Sequence, residues 1–220
     1  MIEKTRTDGR HQRRNKTRQK LVNAAKTIMA NGPAEAVTVD QITREADVGR
    51  GSFYNHFSSM DDLFVSTLED HIRGIGQSFG SGLGQFDDIA DFAAWSIQFF
   101  AKCAVEDPDL GWFIANNVKS QSLLKTHIDP RARDAIELGV INGRFQLEDP
   151  ELWLSIGSCS TTAFIRGCLE GRFDISQSVD LAASILQAAG LARSEAIEIS
   201  QRCDPNTAKK ASKNKTKLGE

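Results

Sequence analysis

Apolar residues recur at helical spacing from early in the chain. Between residues 17 and 30 they fall at positions i, i+3, i+4, i+7 and i+8, on Leu21, Ala24, Ala25, Ile28 and Met29. This spacing puts a single apolar stripe on a helix. Asn31-Gly32-Pro33 follows at once, and glycine with proline typically ends a helix. We therefore predict an amphipathic helix over 17–30.

Three further helix signals are compressed into residues 38–64, TVDQITREADVGRGSFYNHFSSMDDLF. Thr38 with Gln41, and Ser59 with Asp62, show the spacing of a capping box, which marks the start of a helix. A very short helix is predicted between these two starts, behind a tight turn that contains glycine. Two short helices joined by such a turn form the helix-turn-helix pattern of DNA-binding proteins.

Helical spacing continues through the rest of the chain. Apolar positions from Met60 to Phe79 predict a long helix, and five glycines within 74–84 predict a flexible link after it. No stretch shows the alternation of apolar and polar residues that is typical of a strand, so the predicted fold is all-α. Further helices are predicted over 87–106 with Asp87 as cap, from Asp-Pro pairs at 107–108, 129–130 and 149–150, over 175–189, and over 194–202.

Composition is ordinary for a folded chain of this length. The chain has 220 residues, 40% of them hydrophobic, which suffices for one domain and a second, smaller one. No run of about 18 apolar residues predicts a membrane span. The first residues are charged and lack the apolar segment of a signal peptide. We therefore expect a cytoplasmic protein without a membrane partner.

Charge is distributed unevenly. The net charge is −2, but residues 1–20 hold eight Lys or Arg against two acidic residues, and residues 205–220 hold five Lys against one Glu. The remainder is strongly acidic and would be repelled by DNA phosphates. Any contact with nucleic acid must therefore come from a local surface, and the basic N-terminal part is the best candidate.

Strings that resemble catalytic or metal-binding motifs lack their required context. Residues 76–80 fit G-x-S-x-G, with Ser78 as the serine, but a helix is predicted where that motif needs a strand. Residues 122–125 fit S-x-x-K without its partner motifs. The four cysteines and four histidines show no metal-binding spacing. We predict no enzyme activity, no metal and no cofactor; an enzyme that depends on Ser78 is the alternative.

The N-terminal motifs together resemble one family. TRQKLVNAA at residues 17–25, a glycine stop, and then residues 38–64 are similar to the N-terminal domain of the TetR family of bacterial transcriptional regulators. The resemblance covers about residues 15–75. It rests on the order, spacing and type of the residues, which is more specific than a helix-turn-helix pattern alone.

The resemblance implies two domains. Residues 15–75 would form a three-helix DNA-binding domain, with the helix-turn-helix at 38–57. Residues 76–204 would form a helical bundle for ligand binding and dimerisation. Residues 1–14 are predicted as a disordered basic arm, either solvated or lying along DNA, and residues 205–220 as a disordered basic tail.

The second helix of the helix-turn-helix, predicted over 51–56, should enter the major groove. Arg50, Ser52 and Asn55 lie on one side of it, and arginine can read guanine with two hydrogen bonds. The resemblance implies that Thr38, Tyr54 and His56 contact phosphates, although Tyr54 and His56 are also compatible with ordinary helix surface. The full set of predicted DNA-contacting residues is Thr38, Arg50, Gly51, Ser52, Tyr54, Asn55 and His56.

Large aromatic residues with a neighbouring amide suggest a small-molecule site in the second domain. The candidates are Trp95, Phe99, Trp112, Phe113, Asn116 and Trp153. Aromatic residues at helical spacing are more often simply core, so this alternative remains open, and the family resemblance is the main support for a pocket.

These features together predict a homodimeric repressor that binds a palindromic DNA operator and is released by a small-molecule effector. Small residues on the helices over 149–171 and 175–189 would permit close packing against a second subunit, although the same residues are compatible with packing inside one chain. The alternative function is an architectural or partner-recruiting DNA-binding protein without an effector.

Overall fold

The computed structural model describes residues 3–32, 36–70, 86–117 and 130–205. Throughout these residues the regular structure is helical, and the predicted all-α fold is confirmed. The helices are α1 (Glu3–Ala30), α2 (Val39–Glu45), α3 (Arg50–Tyr54), α4 (60–70), α5 (Ile89–Glu106), α6 (Pro108–Asn116), α7 (Pro130–Ile141), α8 (Pro150–Leu169), α9 (Ser178–Ala188) and α10 (Arg193–Arg202), with a 3₁₀ turn at Ile175–Gln177 before α9.

Helix α1 begins earlier than the sequence pattern predicted. Residues 1–14 were predicted as a disordered arm, but the helix starts at Glu3 and runs to Ala30 without a break. Its first turns are rich in Arg, Lys and Gln, which are good helix formers. Once the packed part of a helix exists, each added residue gains a backbone hydrogen bond at little cost. The apolar pattern therefore marks the packed part of α1 and not its full length.

Helices α1 to α4 share one apolar core. Phe53, Phe57 and Phe64 are among its largest fully or almost fully buried side chains, and they pack against Leu21 and Met29 of α1. Phe53 and Phe57 of the helix-turn-helix segment thus face inward. Because both rings are anchored in this core, the opposite face of α3 is held outward.

The predicted caps of α2 and α4 form with one difference. Thr38 and Gln41 make a complete capping box at α2. At α4 the backbone N–H of Asp62 donates to Ser59 Oγ at 3.1 Å, but Asp62 Oδ2 accepts from the backbone N–H of Ser58 at 2.9 Å. The α4 start is therefore capped through two serines, and both starts lie where the sequence placed them.

Helix α5 is the centre of the second domain. It packs against α6, α8, α9 and α10. Asp107 and Asp149 cap α6 and α8 as predicted, each followed by proline at the first helical position.

Asp88, and not the predicted Asp87, caps α5. Its Oδ1 accepts from the backbone N–H of Ala90 at 2.9 Å. The same carboxylate receives Nε and Nη2 of Arg144 at 2.9 and 2.6 Å, and the hydrogen bonds from this guanidinium lower the pKa of Asp88. Arg144 lies beyond α7 and also pairs with Glu195 of α10 at 2.7 Å. One carboxylate therefore both caps α5 and pairs with an arginine 56 positions away.

Several predictions fall on residues that the structure does not describe. These are the glycine-rich link within 74–84, Ser78 and its string at 76–80, the S-x-x-K string at 122–125, Asp129, and nearly all of the basic tail over 205–220.

Candidate nucleic-acid interface

A tight turn sets α3 against α2. Asp47 has φ 51°, in the left-handed region that non-glycine residues rarely adopt. The backbone N–H of Val48 donates to Thr43 O at 3.0 Å and closes the turn. Gly49 precedes α3 with an extended backbone, and no side chain caps the first amides of the helix. The turn therefore leaves the start of α3 open toward solvent.

The predicted base-reading residues lie on the exposed side of α3. The side chain of Arg50 is 64% exposed, Asn55 is exposed and Ser52 is partly exposed. Gly51 is exposed, and a Cβ added there would meet nothing within 4 Å. Tyr54 is 56% exposed on the same short helix. The structure thus brings these five residues to one surface that is free to approach a groove.

Arg50 has a partner that sequence reasoning missed. Its Nη1 lies 3.2 Å from Oδ1 and 3.4 Å from Oδ2 of Asp40, in the first turn of α2. Both side chains are largely exposed, so the pair adds little to stability. It does hold the guanidinium over the junction of the two helices. Ten residues separate the partners, and no motif in the sequence signals the contact.

His56 lies beside two arginines of α1. Burial first, and then the charges of Arg14 and Arg18, lower the pKa of His56. The guanidinium of Arg18 also lies 5.3 Å from the ring centroid of Phe57. The end of α3 and the middle of α1 therefore form one basic surface. Arg14 was considered as part of a DNA-binding arm, whereas Arg18 was not predicted.

Thr38 already has a structural role. Its Oγ1 accepts from the backbone N–H of Gln41 at 3.3 Å and lies 2.9 Å from Gln41 Oε1. The hydroxyl proton is thereby used within the cap. The predicted contact between Thr38 and a phosphate stays a prediction.

The six predicted pocket residues do not gather at one place. Trp95 and Phe99 of α5 stack with ring centroids 4.8 Å apart. Trp153 is buried in the apolar cluster against which Trp95 also packs, and its Nε1 donates to Ile185 O at 3.0 Å. Trp112 is partly buried on α6. In the described residues, the six side chains do not line one common pocket.

Phe113 and Asn116 lie where the two domains meet. The Phe113 ring stacks on Phe64 of α4 with centroids 5.1 Å apart, and it belongs to the core of the DNA-binding domain. Asn116 Nδ2 donates to Ala30 O of α1 at 2.8 Å. We call the contact of α6 with α1 and α4 the interdomain joint; it contains Phe64, Phe113, Asn116, Asn117 and the carbonyls of Met29 and Ala30. For these two predicted pocket residues the structure shows an interdomain role.

Helix α8 has two different faces. Gly157 is buried and faces the Ile185 side chain, which a Cβ added at Gly157 would meet at an ordinary contact distance of 3.6 Å. An outward stripe at i, i+4, i+7 and i+11 is exposed. Its members are Leu152, Ile156, Cys159 and Ala163.

Metal-binding clusters and membrane-spanning helices were also sought in the described part of the chain. Among residues 3–32, 36–70, 86–117 and 130–205, no group of three His, Cys, Asp or Glu side chains is arranged to hold a metal ion. Within the same ranges, every helix is too short or too polar to span a bilayer.

Comparison with known proteins places both domains. Residues 21–67 match the family described as bacterial regulatory proteins, tetR family, and residues 88–202 match the tetracyclin repressor-like C-terminal domain. No curated protein matches the chain.

Solved structures agree with these matches. RolR in complex with the ligand resorcinol is 30% identical, with a TM-score of 0.67, over 87% of this chain and 96% of RolR. RolR without ligand is also 30% identical, with a TM-score of 0.65, over 83% and 96%. The fatty acid degradation regulator FadR from Bacillus halodurans shares the fold at 15% identity, with a TM-score of 0.61, over 77% and 94%. The chain belongs to the TetR family of bacterial transcriptional regulators.

Proposed function

We propose that this regulator is a homodimeric repressor that reads a palindromic operator with α3 and releases it when a small molecule binds the second domain. The outward face of α3 carries the proposal. Arg50, Ser52 and Asn55 stand exposed on a helix whose other side is locked by Phe53 and Phe57. A short helix held in this way presents its first side chains to base edges in a major groove.

Arg50 supports sequence-specific reading. Its exposed guanidinium has the donor geometry for two hydrogen bonds to guanine, which contribute about 1–3 kcal/mol of discrimination. The guanidinium lies beside Asp40 at the α2–α3 junction, and because this ion pair is largely exposed, little energy is needed to release the guanidinium to a base.

The surroundings of α3 support phosphate contacts. Arg14, Arg18 and His56 form a basic surface beside the reading face, and Tyr54 is exposed at its edge. Contacts of this kind position a protein on the duplex without reading its sequence. The predicted roles of Tyr54 and His56 are consistent with this placement.

The outward stripe of α8 supports dimerisation. Leu152 and Ile156 are 57% and 47% exposed, and Cys159 and Ala163 continue the stripe. A self-complementary apolar helix face suits a two-fold interface. Covering by a second subunit would protect Cys159 from alkylation. Mass spectrometry after maleimide treatment should therefore show slower labelling of Cys159 at high protein concentration than at low concentration.

The effector we propose is a small hydroxylated aromatic molecule. The support is the 30% identity with RolR, whose structure contains resorcinol, together with the Trp95–Phe99 stack on the central helix. A ligand that binds only the folded state raises the melting temperature. Resorcinol at millimolar concentration should raise it, whereas a fatty acyl-CoA should not. An unchanged melting temperature with resorcinol would contradict this effector class.

Selection of duplexes from a randomised DNA pool tests the function as a whole. We expect enrichment of an inverted repeat whose half-sites lie about one helical turn apart, or a multiple of it. Binding that depends on salt and shows no enriched sequence would instead support the architectural alternative.

A further inference from the structure

Two asparagines at the end of α6 cap α1 from outside its own domain. The last carbonyls of a helix have no partner within that helix. Asn116 Nδ2 donates to Ala30 O at 2.8 Å, and Asn117 Nδ2 donates to Met29 O at 3.3 Å and to Phe113 O at 2.6 Å. The helix that supports the reading unit therefore ends on side chains of the other domain.

Arg166 of α8 joins this contact from the opposite side. Its Nη2 donates to Ala115 O and, at 3.2 Å, to Asn116 Oδ1. The Asn116 amide thus accepts from α8 with its oxygen and donates to α1 with its nitrogen. Because both ends are engaged, the amide has one favourable orientation. A continuous polar connection runs from α8 through α6 to α1.

Apolar packing keeps α6 in a fixed place beneath this connection. Phe113 and Phe64 stack 5.1 Å apart, at 0% and 2% exposure. On the other side, a Cβ at Gly111 would lie only 2.4 Å from Ala104 O, so α6 approaches α5 too closely for any larger residue. Helix α6 is therefore in contact with α5, α8 and α1 together.

We propose that Arg166 and Asn116 are positioning residues for DNA binding. They set the orientation of the α1–α4 unit on the second domain, and hence the spacing of the two reading helices in a dimer. This rests on the proposed function. The outward stripe of α8 begins at the helix start and Arg166 lies near its end. A shift of α8 at the proposed dimer face is therefore transmitted to α1 through Arg166 and Asn116, alongside the contacts of Asn117 and Phe113.

The DNA test compares a duplex with two half-sites against a duplex with one. Only the first requires a fixed distance between reading helices. Arg166→Ala and Asn116→Ala should each weaken two-half-site binding by roughly five-fold or more, the lower end of measured coupling between sites, and leave half-site binding unchanged. Equal losses on both duplexes, or no loss on either, would overturn the proposal.

Arg172→Ala is the matched control. Arg172 follows α8, pairs with Glu170 as Arg166 does, and its loss removes the same charge. Among the described residues its side chain hydrogen-bonds to Glu170 and not to α6. Both affinities should therefore stay unchanged. Asn116→Asp is a second probe. It keeps the oxygen that faces Arg166 and loses the donor to Ala30, so it should reproduce the loss if Asn116→Ala does not fold.

Calorimetry tests the joint without DNA. The wild-type protein should unfold the two domains in one transition, and Arg166→Ala and Asn116→Ala should lower the transition of the α1–α4 unit and separate it from the other. A single unchanged transition in both variants would overturn the proposal. Separated transitions in a protein that selects no DNA sequence would instead refute the proposed function while the joint stands.

Discussion

The reading face of α3 and the interdomain joint use similar residue types in opposite ways. On α3 the arginine, asparagine and tyrosine stand in solvent, and the Arg50–Asp40 pair is largely exposed. At the joint the two phenylalanines stack on each other, the two asparagines donate to carbonyls of α1, and Asn117 is 1% exposed. The first region leaves its hydrogen-bonding groups available to a ligand. The second region uses its hydrogen-bonding groups to orient the two domains. Mutations on α3 should therefore change DNA recognition, and mutations at the joint should change stability.

The largest expected effect comes from removing the buried ring at the joint. Phe113→Ala deletes a fully buried aromatic side chain that stacks on Phe64. We expect the free energy of unfolding to fall by about 3–5 kcal/mol. Urea unfolding followed by circular dichroism measures it.

Tyr54→Ala provides the contrast on the reading face. It also removes an aromatic ring, but one that is 56% exposed, so the free energy of unfolding should change by about 1 kcal/mol or less. A large loss of stability in Tyr54→Ala, or a small one in Phe113→Ala, would remove the distinction between the regions.

The next effect is on sequence preference. Arg50→Ala should reduce discrimination at one base pair of each half-site by about 1–3 kcal/mol. Stability should hardly change, since the pair with Asp40 is exposed. Competition with single-base variants of the selected duplex measures the preference. Arg193→Ala, which removes an exposed arginine at the start of α10, should leave preference intact; equal loss on every duplex in Arg50→Ala would refute base reading.

A smaller effect should follow pH. Burial and the charges of Arg14 and Arg18 lower the pKa of His56 in the free protein. A phosphate beside the ring favours its charged form and raises that pKa. DNA binding then takes up a proton, so affinity rises as pH falls through the bound-state pKa and levels off below the free-state pKa.

The size of the pH effect is limited to one group. Each unit of difference between the two pKa values contributes a tenfold change at most, about 1.4 kcal/mol. The affinity is measured by fluorescence anisotropy at one salt concentration between roughly pH 5.5 and pH 8, a range that brackets an ordinary histidine pKa. His56→Gln should abolish the dependence, and a dependence that persists in this variant would assign it to another group.

The smallest effect concerns the turn between α2 and α3. Asp47 adopts φ 51°, which glycine reaches without the steric cost of a Cβ. Asp47→Gly should therefore raise the free energy of unfolding by up to about 1 kcal/mol, and Asp47→Val should lower it by about 1 kcal/mol or more. Chemical denaturation compares the two. Equal effects of glycine and valine would show that the turn carries no strain.

The sequence predicted the elements of the reading unit well because their determinants are local. Capping residues and helical spacing located α2 and α4, and the same spacing turned Phe53 and Phe57 inward. The start of α1 was predicted too late, since helix propagation through basic residues leaves no apolar pattern.

The roles at the joint were beyond local reasoning. Asn116 next to aromatic residues has the composition of a pocket, but its partner Ala30 lies 86 positions away. The pairing of Asp88, the cap of α5, with Arg144 likewise spans 56 positions. A single sequence contains no signal for such contacts, because the residues around each partner would be the same if it contacted a different residue.

The measurement that tests the central claim most directly is the ratio of two dissociation constants. The selected inverted-repeat duplex and a scrambled duplex of equal length are titrated with the full-length protein at one salt concentration. If the α3 face reads bases, the ratio for the wild-type protein should be at least about 1,000. The ratio should fall in Arg50→Ala, and duplexes that lack the half-site spacing should not reach it. A ratio near one for the wild-type protein would contradict a sequence-reading role for α3.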